Sequence, residues 1–230
     1  MSPIAPMNLC RSWARVEPQV SAALLEALRA GALCNDTRWV RADGEIKVEG
    51  DPTEAALTVA AHKAGLDDAS LATFARLDVV PFESEHMYMA SLHAGPEGAT
   101  TLYVKGSSDA LLTRCVDRLE ADGRLSPFDV EAARSHVDAL AGPGLRVLVM
   151  ARRPLPLETK RTSHQDVAQL TFLGLVGMID PPRPEAKRAV AECLAAGIKV
   201  KMITGDHAVT AAAIARELGL QGATDDAGRL

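Results

Sequence analysis

Aromatic side chains make up only 3% of these 230 residues, and there are only four cysteines. Cys10, Cys34, Cys115 and Cys193 are too scattered for a zinc-binding pair and too few for a disulfide framework. Isolated thiols of this kind fit a reducing, intracellular setting. Long hydrophobic runs are missing as well. The longest, Phe172 to Ile179, falls far short of the ~20 residues that a membrane-spanning helix needs. Met1 to Arg15 lacks the continuous apolar stretch of a secretory signal. There is no excess of positive charge, because 25 Lys and Arg stand against 30 Asp and Glu for a net charge of -5. This dispersed acidic excess argues against a phosphate backbone as the main partner, because that needs a basic face, and no nucleic acid is expected. A small anion held by two or three local cations stays open. What the chain does have, 47% apolar and 24% charged residues, is an ordinary globular composition. Its length suits one large domain or two modest ones of ~100–200 residues each.

The apolar pattern predicts a helix over Glu17 to Ala30, with Pro18 near its first turn. A second helix opens at Asp51-Pro52-Thr53-Glu54 and ends near Gly65. Asp51 is its expected N-cap, Pro52 its first residue and Glu54 the capping-box partner. Thr100 to Lys105 alternates as a strand, Asp78 to His93 is extended, and Gly95-Pro96-Glu97-Gly98 turns between them, which predicts an antiparallel hairpin. Gly106-Ser107-Ser108 should start a helix reaching about Leu119, another should begin at Ser126-Pro127, and Leu145 to Ala151 should be a strand. Thr171 to Ile179 reads as a buried strand and Asp180 to Pro184 as a stiff, proline-rich elbow. Helix (Glu185 to Ala196), strand (Ile198 to Ile203), loop (Thr204-Gly205-Asp206) and helix (His207 to Leu218) follow, an alternation typical of a parallel sheet. The expected fold is α+β, an antiparallel sheet flanked by helices over residues 1–179, followed by an incomplete α/β segment over residues 180–230.

Signature loops are absent: there is no Gly-x4-Gly-Lys-Ser/Thr, no Gly-x-Gly-x-x-Gly after a strand, no Gly-x-Ser-x-Gly and no His-Glu-x-x-His. Weaker pieces remain, each with two readings. Thr204-Gly205-Asp206 sits between a strand and a helix, where free N–H groups favour an anion, though such a turn is commonly only a cap. Lys105 ends a strand before a helix start and could meet a nucleotide or simply be solvated. Glu54 is explained by capping and Phe82 by a place in the core. Arg146, inside an apolar run, calls for a partner.

The pieces come in a distinctive order. Leu33-Cys34-Asn35-Asp36 leads to Gly50-Asp51-Pro52-Thr53-Glu54-Ala55-Ala56-Leu57, then Pro81-Phe82-Glu83-Ser84-Glu85, Val104-Lys105-Gly106 and Gly144-Leu145-Arg146-Val147. Gly177-Met178-Ile179-Asp180-Pro181-Pro182-Arg183 and Met202-Ile203-Thr204-Gly205-Asp206-His207 complete the series. The series resembles the cytoplasmic region of P-type cation-transporting ATPases, nearest to the calcium-pump and sodium/potassium-pump branch, over roughly residues 33 to 220. The resemblance implies a nucleotide-binding domain over 1–179 and part of a haloacid-dehalogenase-like phosphorylation domain over 180–230. It implies that Phe82 stacks on adenine, Glu54 faces the adenine edge, Lys105 and Gly106 line the pocket and Arg146 meets the phosphates. Asp180, Pro181 and Arg183 would form the hinge, and Thr204, Gly205 and Asp206 the loop that holds the transferred phosphoryl group. The implied ligands are ATP and the Mg2+ that accompanies it, with no metal ligands assigned in this chain. The implied partners are the transmembrane, actuator and remaining phosphorylation parts of a membrane pump, with this region on the cytoplasmic side.

Three departures bear on activity. The Asp-Lys-Thr-Gly-Thr that supplies the phosphorylated aspartate is missing, and so is the later Gly-Asp-Gly-x-Asn-Asp, so the chain is expected to begin after the first and end before the second. The family pattern places a lysine after Pro-Phe-x-Ser, where this chain has Glu85-His86-Met87, and a weaker hold on phosphate is expected. Phosphoryl transfer needs an in-line nucleophile and neutralising metal, so the chain is expected to bind nucleotide without turning it over. The alternatives are a soluble haloacid-dehalogenase-type phosphatase, although no Asp-x-Asp is present, or a degenerate interaction module that has lost nucleotide binding.

Overall fold

The computed structural model describes residues 10–11, 14–15, 21–42, 45–142, 144–178, 183–203 and 208–220. The chain divides into two compact units, Met1–Val130 with Leu148–Val176, and Glu131–Val147 with Gly177–Leu230.

The first unit is built on an antiparallel meander. Strands β1 (Cys10–Arg11) and β2 (Ala14–Arg15) form a short pair ahead of helix α1 (Ala22–Leu33), and β3 (Arg38–Ala42) pairs with β4 (Glu45–Glu49) before helix α2 (Pro52–Lys63). A short helix α3 (Asp68–Ala72) leads to β5 (Ala75–Glu83), β6 (Tyr88–Ala94) and β7 (Thr100–Gly106). Helix α4 (Ser108–Leu111), β8 (Cys115–Leu119), β9 (Leu125–Pro127), β10 (Arg146–Leu155) and β11 (Leu170–Met178) follow, and helix α5 (Val130–Ala141), between β9 and β10 in the chain, belongs from Glu131 onward to the second unit. Seven strands form one sheet in the order β5-β6-β7-β10-β11-β8-β9. Its pairs are antiparallel along β5-β6-β7-β10, and β8 runs parallel to β11.

Helix starts follow local chemistry. Ser21 caps α1 by accepting the Leu24 amide at 3.2 Å, from a backbone extended at φ -136. This helix was expected from Glu17; residues 17–20 lie outside the described residues, and Ser21 sets the start at Ala22. Asp51 caps α2 through Thr53 and Glu54 amides at 2.8 and 3.3 Å, with Pro52 opening the helix where its missing N–H costs nothing. Helices α1 and α2 pack through Leu28, Ala60, Ala61, Ala64 and Leu66, with Leu24, Leu25, Ala32 and Leu71 around them.

Strand β7, third in the sheet, is buried on both faces: Leu102, Tyr103 and Val104 are each at most 2% exposed and Lys105 only 8%. Its alternation does separate Leu102 and Val104 from Tyr103 and Lys105, but the second face is covered too. Tyr103 donates to buried Glu26 at 3.0 Å, and Glu26 also meets Arg152 at 2.7 Å and Arg29. Burial, with the Glu26 charge beside it, raises the Tyr103 phenol above its ordinary value.

Three expectations are corrected. The extended stretch Asp78 to His93 is two strands, because Glu83-Ser84-Glu85-His86-Met87 folds into a turn closed by Met87 N–H donating to Glu83 at 2.8 Å, with Met87 at φ 56. The helix expected from Gly106 to Leu119 ends early: α4 and a 3-10 turn stop at Arg114, and Cys115–Leu119 joins the sheet as β8 beside β11. The helix expected at Ser126-Pro127 begins at Val130, after β9 has used Leu125–Pro127.

In the second unit, α6 (Pro184–Ala195) starts after Arg183 and α7 (Ala208–Glu217) carries Glu217, which pairs with Lys187 of α6 at 3.3 Å. The strand expected at Ile198 to Ile203 is not formed. These residues pair with no strand among the described residues, and Ile198 and Ile203 stand exposed.

Candidate functional site

Three neighbouring strands bring Phe82, Lys105 and Gly106 to one end of the sheet. Glu83 of β5 pairs with Tyr88 of β6, Tyr88 with Gly106 of β7 and Gly106 with Val149 of β10, a continuous rung. Phe82 precedes that rung and is 57% exposed, so the expectation of a core phenylalanine is corrected. An apolar ring left in solvent at a strand end offers a free stacking face.

Gly106 is needed for a close approach. A Cβ there would lie 2.6 Å from the Met87 carbonyl oxygen and 2.6 Å from the Tyr88 Cβ, while the next residue, Ser107, donates its N–H to that carbonyl at 2.9 Å. The same Ser107 hydroxyl caps α4 by accepting the Ala110 amide.

Lys105 is not the solvated strand-end lysine that one reading allowed. Its ammonium donates to Glu54 Oε1 at 2.5 Å, with side chains only 9% and 16% exposed. The other Glu54 oxygen accepts the Asp36 amide at 3.0 Å. Asn35 holds this arrangement together: its side-chain amide donates to the Glu54 carbonyl at 2.8 Å and the Gly31 carbonyl at 3.0 Å, and its oxygen accepts from Thr37. Asp36 in turn pairs with Arg76 of β5 at 2.7 Å. The side-chain oxygens of Glu54, expected in a capping box with Asp51, are instead bonded to Lys105 and the Asp36 amide, and so tie α2 to β7 and to the loop after α1. Cys34 is buried against the Met89 carbonyl at 3.3 Å, and burial pushes its thiol above the usual range.

Arg146 opens β10 and is exposed, so no buried partner is required of it. Arg183 is exposed ahead of α6. Asp180, Pro181, Thr204, Gly205 and Asp206 lie outside the described residues. The residues brought together are therefore Glu54 and Lys105, with Gly106 next in chain and Phe82 at the same end of the sheet. Sequence reasoning gave Asn35 no structural role, and it missed Arg76 altogether; the Cys34-Asn35-Asp36 piece was the available signal for Asn35. A concavity lined by Glu120, Asp122, Arg124 and Ser126 lies at the other edge of the sheet, in the β8–β9 turn.

A mostly antiparallel sheet with α1 packed on β7 and α2 packed on α1, and with Phe82 exposed at this end, is the form of a P-type ATPase cytoplasmic domain N. The model of that family matches residues 23–185, and the chain belongs to it. It is 48% identical over 199 residues to a cation-transporting ATPase of Synechocystis, covering 86% of this chain and 22% of that protein. It is 42% identical over 217 residues to a probable cation-transporting ATPase of Mycobacterium tuberculosis (93% and 24%), and 39% over 204 residues to a calcium-transporting ATPase of Bacillus subtilis (86% and 22%). The chain thus spans about a quarter of the length of these relatives or slightly less. No helix among the described residues is long and apolar enough to cross a membrane.

Proposed function

We propose that this chain is the ATP-binding cytoplasmic portion of a P-type cation-transporting ATPase, presenting ATP for phosphoryl transfer to an aspartate that these 230 residues do not supply. The observation that carries the reading is Phe82, a solvent-facing aromatic ring at the same sheet end as Lys105 and Gly106. Phe82 is the platform on which adenine stacks. At the same end of the sheet, two strands away, the Glu54–Lys105 pair neutralises itself, which suits the uncharged base rather than a phosphate. Glu54 retains lone pairs and Lys105 retains donors for the adenine edge, since neither group is exhausted by one mutual bond. Arg146 is assigned to the phosphates.

The carboxylate here is already bonded to Lys105 and to the Asp36 amide, so these residues do not suit a hard divalent cation that takes several oxygens. Magnesium accordingly enters with the ATP phosphates and gains no ligand from this group. Residues 1–179 form the nucleotide-binding domain. Residues 180–230 form part of a haloacid-dehalogenase-like phosphorylation domain, with Asp180, Pro181 and Arg183 as hinge and Thr204, Gly205 and Asp206 as the phosphoryl loop. Alone, the chain holds and orients ATP without hydrolysing it or transporting an ion. In the parent protein this region faces the cytoplasm.

The test is an amide NMR titration with ATP, with and without magnesium, on the wild type and Phe82→Ala. Saturable shifts should cluster at Glu54, Phe82, Lys105, Gly106 and Arg146. Loss of one stacked base contact, ~1–3 kcal/mol, weakens binding roughly 5- to 150-fold in the variant. A folded protein whose amides ignore millimolar ATP would refute the proposal and leave the sheet as an interaction scaffold.

A further inference from the structure

The turn between β5 and β6 carries a second group of side chains that the nucleotide reading does not use. Glu83 and His86 lie on this turn, and the 3-10 turn His164–Asp166, in the loop before β11, brings His164 beside them. Glu83 Oε2 is 3.6 Å from His86 Nε2 and 3.9 Å from His164 Nε2. One ligand atom from each of the three lies within 4.8 Å of the others, and the two imidazole centroids are 4.1 Å apart. Separations of 3.6 and 3.9 Å are too long for hydrogen bonds, so what gathers these three is not a direct bond between carboxylate and rings.

The imidazole of His164 is oriented from behind. Its Nδ1 lies 2.8 Å from the hydroxyl of Tyr88, a side chain only 1% exposed. Arg114 lies over the Tyr88 ring at 5.2 Å and is itself fixed on the Ala110 and Val167 carbonyls. With the proton on Nδ1 donated to that hydroxyl, Nε2 presents its lone pair to Glu83 and His86. Outer hydrogen bonds set metal-binding imidazoles in this way. The spacing also suits a small ion. Bonds of ~2.0–2.1 Å in a tetrahedron place neighbouring ligand atoms about 3.4 Å apart, a few tenths of an ångström inside the two carboxylate–imidazole separations. Glu83, with a side chain 52% exposed, and His86 at 34% can close that gap by small rotations.

We propose that Glu83, His86 and His164 form a binding site for a divalent transition-metal ion of the zinc type, with a fourth position open to water. Two imidazole nitrogens and one carboxylate oxygen favour zinc, cobalt(II) or nickel over magnesium and calcium, so this site is distinct from any magnesium carried by ATP. The ion clips the loop of residues 156–169 to the tip of the β5–β6 hairpin, one residue from Phe82.

The test uses the tag-free, chelator-treated 230-residue chain, with cobalt(II) as probe. The visible ligand-field bands of tetrahedral cobalt should develop to one equivalent, fade on adding zinc, and persist in excess magnesium. His86→Ala and Glu83→Gln replace partly exposed groups and keep the fold, and each should weaken cobalt binding at least roughly tenfold; Tyr88→Phe, a positioning change, should cost about 10- to 100-fold. Bands that never form overturn the proposal. So do bands unchanged in both His86→Ala and Glu83→Gln, or sulfur-to-cobalt charge transfer, which would put the metal on cysteine.

Discussion

The Glu54–Lys105 pair makes a quantitative claim about what holds α2 against the sheet. Glu54→Gln keeps the shape and an acceptor oxygen but removes the charge. Lys105, whose side chain is 9% exposed, is then an ammonium without its counter-charge. Removing one partner of a buried pair costs ~3–5 kcal/mol, and the retained amide oxygen brings this to about 2–3 kcal/mol. The reverse change should be milder. Lys105→Met keeps the apolar stem, and Glu54, at 16% exposure, still accepts the Asp36 amide, for a cost of about 1–2 kcal/mol. The double variant contains no stranded charge and should also sit near 1–2 kcal/mol, which leaves a coupling of about 2 kcal/mol. The assay is urea unfolding followed by hydrogen exchange at β6 and β7 amides, since a chain of two units need not unfold in one step. Equal costs for the two single variants, each below ~1 kcal/mol, would show a pair screened by solvent and refute the argument.

Other outcomes follow from neighbouring features. Gly106→Ala forces a Cβ to within 2.6 Å of backbone and side-chain atoms of Met87 and Tyr88, so urea melts should show a loss toward the upper end of the ~1–3 kcal/mol of overpacking. His93 lies buried between the Phe74 carbonyl at 3.2 Å and the Ser91 hydroxyl at 3.0 Å, and burial holds its pKa below the ordinary value. Its neutral form is therefore favoured by folding. The contribution is complete above an unfolded pKa of ~6.5 and is lost as pH falls through the depressed folded value. Stability measured from pH ~7.5 down to ~5 should decline less steeply in His93→Gln than in the wild type.

Local signals were legible in the sequence and distant ones were not. Asp51-Pro52-Thr53-Glu54 announces α2 because cap, proline and acid act within one turn. Gly95 to Gly98 likewise announces the β6–β7 turn. Cys115–Leu119 was misread as helix because its partners, beginning with Leu170, lie far along the chain. Lys105 reads as a solvent-facing strand end, since nothing in the alternation of β7 shows that α1 packs on its polar face or that Glu54 of α2 reaches Lys105. Residue type alone assigned Phe82 to the core, whereas its place in the ordered motif series pointed to an exposed stacking role; the ring is in fact exposed. Tyr88 and His164 are 76 positions apart, and no spacing rule could have joined them.

The pairing of β5, β6 and β7 in chain order also bears on how the molecule assembles. Each of these contacts closes only a short loop, residues 84–87 or 95–99, and the entropy lost on closure rises with loop length. Pairing β8 with β11 instead requires Cys115 to find Leu170. Low contact order is thus concentrated in the meander that carries Phe82, Lys105 and Gly106. That end of the sheet depends least on the remainder of the chain to take shape, while Glu54, arriving with α2, and the residues of β10 must be delivered from outside the meander.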